Sequence, residues 1–274
     1  MEIKKKFILT IVLLSYLATA INGAIVITGL ENMAKDLDLN QSVLSWVQNS
    51  YVLAWGCFML LGGRLSDAFG RRGILNLSLL LFGIGSLFAG IATSATILIF
   101  SRFIQGVGAS ILAPTSLALI MDYFTGEERI KAIAWYSSIS GLGMCIGLVI
   151  GGTLASFFSW RYGFFIYLPL IVFMLIVSMK VLNKNKQKHS KGYFDICGTI
   201  ASVIGIFSFV YAVNGASNIW LWLIVSCISL FLFMRIESKA TAPIMPLRLF
   251  NKSRTRANIC LLYTSPSPRD AHES

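Results

Sequence analysis

An arginine and a glutamine three residues apart, Arg102 and Gln105, lie inside an otherwise apolar run at about residues 97–121. On a helix the two share a face, so the amide can orient the guanidinium. At 1.5 Å per residue, Arg102 stands roughly 9 Å inside the outer end of that run. A cation at that depth in hydrocarbon is costly and is found where a substrate or ion passes, or else its long stem snorkels to the headgroups. A second charged group lies in residues 62–72, GGRLSDAFGRR, a connection between two long apolar runs. There Gly63 and Gly70, lacking a Cβ, permit tight turning and close helix approach. They hold Asp67, Arg71 and Arg72 near Asp122, which ends the fourth apolar run. A loop needing only positive charge for topology would require neither this glycine spacing nor an acid.

The elements that must position these residues are apolar segments at about residues 7–30, 45–61, 74–91, 97–121, 132–158, 163–182, 196–213 and 220–234. Most approach the ~20 residues needed to span hydrocarbon, so eight transmembrane helices are expected. Of 274 residues, 56% are hydrophobic and 13% charged, against roughly 25% charged in soluble domains. Mean hydropathy is +0.74. The expected fold is therefore all-α and polytopic, with no soluble domain between the spans.

With the amino terminus inside, Lys4, Lys5, Lys6, Arg64, Arg71, Arg72, Arg129, Lys131, Lys180 and the cations of residues 184–191 and 235–256 fall on the cytoplasmic side. Only Lys35 and Arg161 fall outside, the asymmetry expected of a multi-pass protein with both ends of this chain cytoplasmic. The net charge of +11 is then topological, and its dispersal over several loops argues against nucleic-acid binding. Lys4–Lys6 and Ala18-Thr19-Ala20 resemble a signal peptide, but removing that run would leave the later charges on the wrong side. The cysteines Cys57, Cys145, Cys197, Cys227 and Cys260 form no CxxC pair and read as small packing residues. No P-loop, HExxH, GxSxG or complete GxGxxG occurs, and His189 and His272 lie in separate polar segments. An enzyme, a cofactor and a metal centre are therefore not expected.

Residues 63–72, with Gly63, Leu65, Asp67, Gly70, Arg71 and Arg72, resemble the signature loop between helices two and three of the major facilitator superfamily. Two further stretches agree: Arg102 to Ala109, RFIQGVGA, and Gly143 to Gly152, GMCIGLVIGG. WRYGFFIYLP from Trp160, a basic linker, Asp195, Gly198 and PLRLF from Pro246 resemble the fourteen-helix drug:proton antiporters. The resemblance implies an inner gate of Gly63, Asp67, Gly70, Arg71, Arg72 and Asp122. It implies proton coupling at Arg102, Gln105 and Gly106, and an antiporter motif on helix five at Gly143, Gly147, Gly151 and Gly152. It also implies small-molecule substrates, protons and membrane lipid as partners, with the chain in a bacterial plasma membrane. Residues 1–182 would form a six-helix bundle, and 183–259 a basic linker with two further spans. After residue 259 the chain reads CLLYTSPSPRD, which resembles one reading frame of a common transposase sequencing adapter. Residues 260–274 are accordingly expected to be a translated artefact on a truncated frame.

Three departures bear on coupling. Asn22 stands where many relatives carry an intramembrane aspartate, Glu31 where they carry a proline, and Leu148 where a proline bends helix five. The glycine stripe at 143, 147 and 151 is also explained by close helix packing alone. Candidates for a substrate path are Asn22, Glu31, Gln48, Asn49, Tyr51 and Trp55; of these Gln48, Tyr51 and Trp55 share one face of the second span, with Asn49 beside them. Trp46, Trp135 and Tyr136 fit either the path or an interfacial aromatic belt. The expected activity is proton-coupled efflux of hydrophobic or drug-like molecules by alternating access. The alternatives are a metabolite transporter without proton antiport and a non-transporting membrane partner or sensor.

Overall fold

The computed structural model describes residues 2–182, 196–213 and 218–239. The linker cations Lys184, Lys186, Lys188 and Lys191, both histidines, Asp195, Asn214, residues 246–250 and the 260–274 tail lie outside the described residues. Within them the chain forms helices and no strand. These are α1 (Glu2–Leu37), α2 (Gln41–Phe69), α3 (Arg71–Gly90), α4 (Ala95–Tyr123), α5 (Gly126–Phe157), α6 (Tyr162–Phe165), α7 (Tyr167–Val181), α8 (Ile196–Val213) and α9 (Ile219–Lys239). By length and hydropathy six segments can each cross a membrane, with α6 and α7 counted as one. The bent α2 makes a seventh. The expected eight is reached only by adding α8, which is shorter.

Helix ends follow local chemistry. Asn40 is extended and its side chain accepts from the Val43 amide at 2.9 Å, capping α2, and Ser94 caps α4 in the same way through Ile97. Between α2 and α3 the charged connection is almost entirely helical. α2 runs through Gly63 and Asp67 to Phe69, α3 begins at Arg71, and Gly70 alone breaks the path at φ 91°. A side chain disfavours that conformation, so the turn belongs to Gly70 and not to Gly63.

α4 is the centre of the bundle, packed along α2 and α3, while α1 lies along α5 and α7 closes the space beside α3 and α1. Ile11, Leu75, Leu79, Phe82, Leu112 and Tyr167 form the core of this arrangement. Close approach is made by small residues, as lipid-embedded helices require. At Gly62 a Cβ would lie 2.7 Å from Ile111 Cα and 2.8 Å from the Ser110 carbonyl, whereas at Gly63 the nearest atom is Pro114 Cβ at 3.8 Å. Gly62 therefore sets the α2–α4 spacing. α8 and α9 pack on each other, and α8 rests on α2 through Trp46 against Tyr211 and Cys57 against the Val203 carbonyl. Cys57 is buried and packs as expected, whereas Cys145 and Cys227 are exposed and do not. The outer side of α5 is uncovered and apolar, with Leu142, Met144 and Val149 exposed.

Candidate functional site

Arg102 does not snorkel. Its side chain is 1% exposed, held in the middle of the bundle by α1, α2 and its own helix. Its Nη1 donates to Asn22 Oδ1 of α1 at 2.6 Å and to Gln105 Oε1, and its Nε donates to the Val47 carbonyl of α2 at 3.3 Å. The guanidinium also stacks over the Tyr51 ring, 4.3 Å from its centroid. Gln105 is oriented in turn by donating Nε2 to Ser86 Oγ of α3 at 2.8 Å, and Ser86 donates to the Phe82 carbonyl. Three helices thus meet on one cation, and a fourth, α3, holds its glutamine partner.

Every one of those partners is neutral, and no ion pair among the described residues includes Arg102. A buried charge held by several hydrogen bonds and a ring face is tolerated, but an opposite charge would stabilise it further. The Asn22 amide nitrogen and the Tyr167 hydroxyl are buried without a hydrogen-bond partner among the described residues. Gly106 makes the assembly possible: a Cβ there would lie 2.5 Å from the Tyr51 carbonyl and 2.8 Å from Ala54 Cβ. The spacing of Arg102 and Gln105 had identified two members of this cluster, and Asn22 and Tyr51 had been named as path candidates. Ser86, Tyr167 and the Val47 carbonyl were not foreseen.

At the end of the bundle carrying Arg71, the charged residues of the signature stretch converge. Arg71 forms ion pairs with Asp67 and with Asp122, the latter at 3.0 Å, and donates to Ser66 Oγ at 2.9 Å. Arg71 therefore joins the end of α2 to the end of α4. Arg72 turns the other way and donates to the Met179 carbonyl near the end of α7. Gly63 makes no close approach here, and a Cβ on it would be in ordinary contact.

The helix-five stripe faces α1. Gly143, Gly147 and Gly151 are buried, and a Cβ on Gly147 would lie 2.7 Å from Ala24 Cβ and 2.9 Å from the Ile21 carbonyl. Gly152 has nothing within 4 Å and lies off this contact. Leu148 is exposed, turned away from α1.

The path candidates divide. Asn22 and Tyr51 belong to the arginine cluster, Gln48 and Asn49 are half-buried, and Trp55 is exposed on α2. Glu31 is exposed and paired to Lys35 at 2.7 Å, so it stands apart from the cluster. Tyr136 turns into the bundle: its ring stacks on Tyr16 of α1, with centroids 4.1 Å apart, and its hydroxyl donates to the Ala113 carbonyl beside Pro114. At the far end Arg161 pairs with Asp36, donates to the Ala92 carbonyl and lies over Trp160, whose Nε1 donates to Asp36. The sequence places Arg161 as an outer charge within the WRYGFFIYLP stretch but gives no sign of its pairing with Asp36. Among the described residues no three His, Cys, Asp or Glu side chains gather as a metal would need.

Against known proteins, the sequence pattern of the Major Facilitator Superfamily matches residues 12–253. A puromycin resistance protein of Streptomyces alboniger is 33% identical over 245 residues, covering 87% of this chain and 48% of that protein. A multidrug transporter protein of Bacillus subtilis is 32% identical over 92% of this chain and 48% of its own length. A riboflavin transporter of Clostridioides difficile is 30% identical over 93% of this chain and 57% of its own length. The chain thus spans about half the length of these curated relatives. Among solved structures, a D-xylose-proton symporter superposes with a TM-score of 0.55 at 17% identity, covering 83% of this chain and 66% of that one, a likeness of fold. A family pattern that matches most of the chain places it in the Major Facilitator Superfamily, and the all-helical bundle agrees with that membership.

Proposed function

We propose that the full protein exports hydrophobic or drug-like small molecules across the plasma membrane by alternating access, with proton entry driving export. The observation that carries this reading is the desolvated Arg102, held at the meeting of α1, α2, α3 and α4. A buried intramembrane cation costs stability and is retained for a substrate or ion path. Gln105 fixes its orientation and Asn22 links it to α1, so a shift of α1 against α4 changes its environment. Arg71 with Asp67 and Asp122 forms a latch between α2 and α4 that secures the inner gate. The described cations support the Arg71 end as cytoplasmic: the residues from Lys4 to Lys6, Arg64, Arg71, Arg72, Arg129, Lys131 and Lys180 lie there, against Lys35 and Arg161 at the other end.

In this reading neither Asn22, which cannot exchange a proton, nor Glu31, which is exposed, is the proton-exchanging group. Two relatives named for puromycin resistance and multidrug transport support drug-like substrates. A second reading, metabolite transport without proton antiport, is favoured by the neutral Asn22 and by the relative named as a riboflavin transporter. Cells expressing the full-length protein separate the two. Ethidium efflux that stops on adding a protonophore supports the first, and efflux or uptake indifferent to the protonophore supports the second. No transport of dye or metabolite would leave a partner or sensor role.

A further inference from the structure

A cavity of about 240 Å³ opens at the Arg71 end, between the start of α1 and the start of α5. Lys5, Lys6, Lys131 and Glu128 supply its charge, and Leu9, Phe124 and Trp135 line a mostly apolar wall. Lys5 is committed: its Nζ pairs with Glu128 at 2.5 Å and lies over the Phe124 ring. Lys6 and Lys131 have no ion-pair partner among the described residues. Three cations against one acid leave two positive charges facing one apolar hollow.

We propose that this cavity binds one anionic phospholipid, with its phosphodiester between Lys6 and Lys131 and an acyl chain along Leu9 and Trp135. The membrane setting decides the source of the anion. The cavity lies where α1 and α5 leave their apolar stretches, and beside it Phe7 and Ile130 are 44% and 69% exposed among the described residues, an apolar border that an acyl chain can cover. A soluble phosphate would use the lysines and leave the apolar wall without purpose. A zwitterionic headgroup brings its own cation and gains less from two lysines. The site joins the start of α1 to the start of α5, so an occupied site ties together the two helices whose glycine contact lies deeper in the bundle.

The test is native mass spectrometry of the purified full-length protein equilibrated with phosphatidylglycerol or phosphatidylcholine of the same acyl composition. Each lysine near a phosphate is worth roughly fivefold in affinity, so phosphatidylglycerol should bind about 25-fold more tightly than in Lys6→Gln/Lys131→Gln. Lys180→Gln, at the same end of the bundle but away from the cavity, should bind as wild type does. Trp135→Ala should weaken phosphatidylglycerol binding, and glycerol phosphate should not displace the lipid. Equal retention of the two lipids, or an unchanged Lys6→Gln/Lys131→Gln variant, overturns the proposal. Displacement by glycerol phosphate also overturns it, showing a soluble-anion site. If the wild-type protein retains no phosphatidylglycerol, the rest of the chain fills the cavity and the proposal fails. None of these outcomes depends on whether the protein exports drugs.

Discussion

Two adjacent glycines offer a sharp contrast. A methyl group placed on Gly62 meets Ile111 Cα at 2.7 Å and the Ser110 carbonyl at 2.8 Å, while on Gly63 it meets Pro114 Cβ at 3.8 Å. Ordinary carbon contacts begin near 3.5 Å. Both atoms facing Gly62 are backbone in the middle of α4, so no rotamer change relieves them, and α2 and α4 must separate by about 1 Å. Overpacking of that kind costs roughly 1–3 kcal/mol. Gly63→Ala carries no such clash and gains up to about 1 kcal/mol of helix preference. The two variants should therefore differ by about 1–4 kcal/mol, or roughly 2–16 °C in the midpoint of thermal unfolding. Heating the purified full-length protein in detergent and measuring the surviving monodisperse fraction reads this directly. If Gly62→Ala survives as well as wild type while Gly63→Ala is lost, the helix spacing described for α2 and α4 is wrong.

Other consequences follow from the same geometry. Arg102→Met should abolish transport and leave the Asn22 and Gln105 oxygens without their donor, at a cost of about 1–3 kcal/mol in thermal stability. Asn22→Leu should impair transport because Arg102 loses its link to α1, whereas Asn22→Asp keeps an acceptor and should retain protein yield; equal yields and rates for both would remove Asn22 from the site. Asp122→Asn should change stability by about 0–1 kcal/mol, since the pair is partly exposed, yet slow transport by opening the latch. A double-mutant cycle with Arg71→Gln should show coupling in rate. Arg161→Ala should lower thermal stability without changing substrate selectivity, since its partners Asp36, Trp160 and Ala92 all lie at the far end from Arg71.

The helices were legible because a span declares itself by length and hydropathy, and the described helices cover each of the expected apolar runs. Their ends were less so. The run GGRLSDAF carries enough charge to read as a loop, but its solvent-facing residues sit on a helix whose glycines face α4. Which glycine does the packing is a matter of helical phase one residue apart, and without the partner helix Gly62 and Gly63 look alike. In the site, Arg102 and Gln105 were visible because they are polar, close in sequence and set in an apolar run. Ser86 and Tyr167 come from other helices, and no local spacing links them to Arg102. The same limit hid the pairing of Arg161 with Asp36, 125 residues away.

In the proposed function the buried Arg102 cluster couples proton entry to export. Reconstituting the full-length protein in vesicles with an internal pH indicator, and adding ethidium on the side from which it is exported, tests that claim most directly. The account predicts counter-movement of protons on adding substrate, abolished in Arg102→Met at equal protein incorporation. Ethidium movement without proton flux, or flux undiminished in Arg102→Met, contradicts it.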